Sequence, residues 1–124
     1  MTWAVYAVAI FFLGMGLYAF VAPEGMLRLF GTPSLTVDGR SEVRAVYGGF
    51  GVAMAAVLVL ALRAPDLARG VFLTLALALA GMAVGRVVSR GIDGPSGSFV
   101  RLVLVSEVVM AAVLFGAFVW RPTF

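Results

Sequence analysis

Four apolar runs, each close to the length of a membrane crossing, constrain this chain more than any other feature. Thr2–Val21 contains no charged residue. Further runs follow at about 42–63, 68–89 and 98–120, the interior of the second broken by Arg44, the third by Arg86 and the fourth by Arg101 and Glu107. A helix rises about 1.5 Å per residue, so about 20 apolar residues cross the hydrocarbon of a bilayer. Four such spans and three loops use up the 124 residues. The predicted fold class is all-α, an integral membrane four-helix antiparallel bundle forming one domain over residues 1–124.

Composition supports lipid as the solvent. The chain is 63% hydrophobic and 12% charged, where a soluble domain is about 45–50% apolar and about 25% charged. The opening "MTWAVY" lacks the basic n-region of a secretory signal, so the first run is read as a retained span. With no Cys and no His, thiol redox chemistry, disulfides and the commonest zinc and haem ligands are excluded, and no metal or cofactor is expected. The net charge of +3 comes from nine Arg and no Lys. In a membrane chain this excess reflects topology and headgroups rather than nucleic acid. Arg-only usage points to a high-GC bacterial genome.

The connections carry their own signals. "VAPEG" ends the first span at Pro23, and "MLRLFG" after it reads as a short interfacial helix with Arg28 at the headgroups. Ser41 is the expected cap of the second helix, Asp66 of the third and Ser98 of the fourth. "RAPDLARG" is a tight loop, and "SRGIDGPSGS" is read as a turn over Ser89 to Ser98. "WRP" at Trp120 to Pro122 is an interface stop. Arginines concentrate at the first and third loops, so the positive-inside rule predicts these loops cytoplasmic.

The interior charges form the candidate site. A charge at mid-bilayer costs about 2.5–3.5 kcal/mol on insertion scales, so charges at depth face the interior and pair. Antiparallel threading carries Arg44, Arg86 and Glu107 toward one side. One carboxylate against two guanidiniums leaves a positive surplus suited to a carboxylate, a phosphate or a lipid headgroup. Arg44, Tyr47, Gly48 and Gly51 share one α-helical stripe, as do Arg86 and Ser89, so Tyr47 and Ser89 are candidate hydrogen-bonding groups. The alternative is that Arg44 and Arg86 only snorkel to the interface or balance Glu107. Gly49, Gly81 and Gly85 are read as helix-packing positions in small-xxx-small patterns, Ala45-Gly49-Ala53 and Gly81-Gly85-Ser89, and Gly48 as a further packing position; the functional alternative is that Gly48 and Gly51, beside Tyr47, leave room for a ligand.

These pieces occur in a recognisable order: "F-x-x-P" (Phe20 to Pro23), "LFG" (Leu29 to Gly31), "R-x-x-YGG" (Arg44 to Gly49), "GR-x-x-S" (Gly85 to Ser89), "DG" (Asp93, Gly94) and a Glu within the fourth span. The chain resembles, over nearly its whole length, a bacterial family of small four-helix membrane proteins described as a domain of unknown function. It is more distantly similar to the DoxX-like membrane proteins. The resemblance implies a multi-pass protein of the bacterial cell membrane and no settled activity. The matching positions are Arg44, Tyr47, Gly48, Gly49, Arg86, Ser89, Asp93, Gly94 and Glu107.

The expected function is the binding of a lipid or an amphipathic, anionic small molecule by Arg44, Tyr47, Arg86, Ser89 and Glu107, with no catalytic residue assigned. The first alternative is a non-catalytic subunit, in a homo-oligomer or a larger membrane complex. The second is a lipid-modifying isomerase using Glu107 as acid or base, which needs a further acid/base group that only Asp93 or Tyr47 offers.

Overall fold

The structure is a computed structural model that describes residues 1–120; Arg121 and Pro122 of the "WRP" stop lie outside the described residues. Every regular element among them is helical. The order is α1 (Thr2–Val21), α2 (Pro23–Arg28), α3 (Val37–Val43), a π-helical turn (Arg44–Gly49), α4 (Phe50–Arg63), α5 (Pro65–Asp93) and α6 (Ser98–Trp120). Four helices are long and apolar enough to cross a membrane: Thr2–Val21, Val37–Arg63, Pro65–Asp93 and Ser98–Trp120. This is a multi-pass membrane protein.

The helix ends differ from expectation where capping chemistry decided them. The second spanning helix starts at Val37, capped by Thr36, whose hydroxyl accepts from the Gly39 amide at 3.0 Å. Ser41, the expected cap, lies inside α3. At α5 the cap position is Ala64 with no side-chain bond, and Pro65 takes the first turn, where its missing N–H costs nothing. Asp66 sits in that first turn without capping it. The third helix runs on to Asp93, so the turn shrinks to residues 94–97. Gly94 ends the helix at φ +88°, a conformation open to glycine because it has no Cβ. Ser98 is itself the first residue of α6.

The chain divides into two compact units, one of Tyr6–Leu60 and one of Met1–Val5 with Ala61–Phe124. In the second of these, α5 and α6 pack against each other. Arg69 reaches Phe118 near the start of α5, and Arg86 reaches Glu107 near its end, so the two helices run antiparallel. The buried stripe of α5 is Ala68, Phe72, Leu75, Ala76, Leu79 and Ala83. That of α6 is Glu107, Met110, Leu114 and Ala117. Both follow the i, i+3/i+4 spacing of one helix face.

In the Tyr6–Leu60 unit, α1 meets the π turn and the start of α4 at backbone distance. A Cβ on Gly16 would lie 2.8 Å from the Gly48 carbonyl oxygen and from the Val52 amide nitrogen, and one on Gly51 would lie 2.8 Å from the Phe12 carbonyl oxygen. Glycine at both positions lets the two backbones touch. Ala19, Met26 and Val43 form a buried cluster, packed round by Met15, Leu27, Leu35 and Tyr47. The short helix after α1 is therefore held by burial of Met26 and not only by the interface.

Candidate functional site

Ala83 is buried on α5, and the next residue on its stripe, three further on, is Arg86. On α6 the inner stripe begins with Glu107. Each helix thus ends its apolar stripe with a charge, and the α5–α6 packing brings the two together. Arg86 Nε donates to Glu107 Oε1 at 2.9 Å and to Oε2 at 2.8 Å. Glu107 is 2% exposed, the one charged side chain buried among the described residues. The Arg86 side chain is 23% exposed. Anything approaching the pair meets the guanidinium and not the carboxylate. Ser106, beside Glu107, donates to its own helix at the Val103 carbonyl, 2.7 Å away, so it is satisfied locally. Ser89, one turn beyond Arg86, is exposed.

Arg44 and Tyr47 belong to the Tyr6–Leu60 unit. The α-helical stripe predicted for Arg44, Tyr47, Gly48 and Gly51 is not kept. The Phe50 amide bonds the Ala45 carbonyl, five residues back, the signature of a π turn. The extra residue rotates everything before it relative to everything after it. Gly48, Gly51 and Ala55 are buried as predicted by α-spacing, but the inner position before Gly48 is taken by Val43, 3% exposed, and not by Arg44, which is exposed. An apolar side chain replaces a guanidinium in the buried cluster, and desolvation of the charge is avoided.

Arg44 instead donates through Nε to the Phe20 carbonyl at 3.1 Å. Helix α1 has no basic residue in its last turn, and it ends at Val21, so the carbonyls of that turn lack the amides of a following turn. A carbonyl left open at the negative end of a helix is a natural acceptor for a guanidinium. The other unit repeats this arrangement. Arg69 Nη1 donates to the Phe118 carbonyl at 3.0 Å, near the end of α6, and its guanidinium carbon lies 4.4 Å from the centroid of the Phe118 ring. Sequence reasoning missed both caps. The one available signal was a long apolar helix ending without a cation of its own.

Arg40 lies in α3, at the start of the second spanning helix. Its Nη1 bonds Glu24 Oε1 at 3.1 Å and the Leu35 carbonyl at 2.9 Å, tying α2 to α3. Tyr47 is half-buried against the Ala19–Met26–Val43 cluster.

The expected packing glycines divide by surroundings. A Cβ on Gly48 would meet the Phe20 ring at 3.2–3.3 Å, a close fit, and one on Gly49 would make ordinary contact with Phe20 Cζ at 3.9 Å. A Cβ on Gly81 or Gly85 would meet nothing within 4 Å. The closest approaches of backbone to backbone run through Gly16 and Gly51, which the small-xxx-small reading did not single out. Among the described residues no group of three or more His, Cys, Asp or Glu is gathered.

No curated protein and no solved structure matches the chain. A family model does match, over residues 1–118, with the description "Domain of unknown function (DUF4345)". The likeness to DoxX-like proteins rests on the sequence motifs alone. A match over nearly the full length shows that the chain belongs to the DUF4345 family.

Proposed function

We propose that this protein binds an anionic amphipathic molecule, lipid or lipid-like, inside the membrane, with Arg86 as the recognising group and Glu107 as the group that holds it. One observation carries the reading: the Arg86–Glu107 pair is asymmetric, its carboxylate 2% exposed and its guanidinium side chain 23% exposed. Here the cation is the accessible member, held by Nε so that its orientation is fixed. Such a group recognises carboxylate or phosphate oxygens. Ser89, the next polar residue along the α5 face, is the candidate second donor. The surrounding α5 and α6 surface, with Met82, Val105 and Val109 exposed, suits an apolar tail. The cell would be bacterial and the first and third loops cytoplasmic in this reading, as motifs and arginine distribution suggest.

The test is native mass spectrometry of protein extracted in mild detergent. Wild type is expected to retain a co-purifying amphiphile that Arg86→Gln loses. Equal retention by both, with unchanged helix content, rejects the proposal.

A second reading, a non-catalytic subunit of a larger membrane assembly, is favoured by Gly81 and Gly85. They lie exposed, with nothing near, on a span where small residues permit close helix approach. Gly81→Leu would then abolish co-purification of a partner or second copy while leaving the isolated chain folded. An isomerase role for Glu107 has no observation in its favour: its oxygens are engaged by Arg86 and shielded.

A further inference from the structure

We propose that Arg44 is a binding site for a phosphate oxyanion at the membrane surface, and that the π turn is what presents it. The proposal does not rest on the Arg86–Glu107 reading.

The first support is helical phase. Val43 and Gly48 are five residues apart and both buried. In an uninterrupted α-helix Arg44, four before Gly48, would take the inner place. The π turn over Arg44–Gly49 turns it outward. Turns of this kind are uncommon and are found frequently at functional sites.

The second support is orientation. Nε of Arg44 is engaged by the Phe20 carbonyl at 3.1 Å. The terminal nitrogens have no hydrogen bond or ion pair among the described residues. A guanidinium pinned through Nε offers its two-nitrogen edge, which matches two oxygens of a phosphate. Glu42, the nearest carboxylate in sequence, is two residues away and so points to another side of the helix.

The third support is depth. The helix Val37–Arg63 has 27 residues, about 40 Å against the roughly 30 Å of hydrocarbon. The seven residues of α3 account for the excess, which brings Arg44 to the headgroup edge. Around it Val46, Phe50 and Phe20 are exposed and apolar. A cation at this level above an apolar surface suits a phosphate that carries acyl chains. The oxyanion could equally be free phosphate, which shares the chemistry.

The experiment titrates purified protein with phosphatidylglycerol and with a phosphate-free glycolipid of matched chains, counting bound lipid by native mass spectrometry. Wild type should prefer phosphatidylglycerol. Arg44→Gln should weaken that binding about 5-fold, the effect expected of one arginine near a charged surface. Arg63→Gln, at the far end of the same span, should leave it unchanged. Inorganic phosphate added at millimolar concentration separates the sources: displacement of the lipid assigns the site to free phosphate, and persistence assigns it to the headgroup. Equal loss in Arg44→Gln and Arg63→Gln overturns the proposal. If Arg44→Gln does not fold, the wild-type comparison decides, because equal uptake of the two lipids also overturns it. Arg86→Gln is expected to bind phosphatidylglycerol at this site normally.

Discussion

Arg86 Nε lies within 2.9 Å of both carboxylate oxygens of Glu107 and donates to each. The pair closes the apolar stripes of α5 and α6 and fixes their register. Its cost and value are both set by burial, since the carboxylate is 2% exposed.

Removing either partner strands a charge. Arg86→Ala or Glu107→Ala is expected to destabilise by about 3–5 kcal/mol, whereas the apolar double substitution Arg86→Met/Glu107→Leu should restore most of the loss. Thermal unfolding in detergent, followed by circular dichroism, measures this. Additive single and double losses would mean that the pair is not coupled.

Glycine substitutions should separate by surroundings. Gly51→Ala drives a Cβ to 2.8 Å from the Phe12 carbonyl oxygen, an overpacking that costs about 1–3 kcal/mol. Gly81→Ala meets open space and should be neutral or stabilise by up to about 1 kcal/mol through helix propensity. The same melting experiment compares them, and a larger loss at Gly81 would show that its face is covered in the folded protein.

The cap of the second spanning helix is Thr36 and not Ser41. Thr36→Ala should cost about 1 kcal/mol at this end, seen as roughly 5-fold faster hydrogen exchange over residues 37–40. Ser41→Ala should leave exchange there unaltered.

Arg69 combines a carbonyl bond with a ring contact at Phe118. Phe118→Leu removes only the ring and should cost about 0.5–1 kcal/mol beyond its lost packing. Arg69→Gln loses the ring attraction and the charge on the carbonyl. A double-mutant cycle between the two positions isolates the ring term, and a coupling of zero would show that the stacking contributes nothing.

Much of the architecture was legible in the chain. Thr2–Val21 spans because its hydropathy is a sum over residues that needs no tertiary partner, and the same holds for the three later spans. Pro23 and Gly94 end helices for local reasons: one lacks an amide, the other tolerates φ +88°. The opposition of Arg86 and Glu107 followed from the expense of isolated charges at depth. The caps were read less well, because Thr36, Ser41 and Asp66 are chemically equivalent candidates until the turn before them is known.

Sequence by itself determined four apolar spans, their breaks and the need of Glu107 for a cation, since each depends on local composition and the cost of desolvation. Only the tertiary structure decided which way Arg44 faces. Val43 and Arg44 compete for one place against Ala19 and Met26, and the burial of Val43 outweighs the regularity of the helix, so one extra residue enters the turn and the arginine is carried outward to the Phe20 carbonyl.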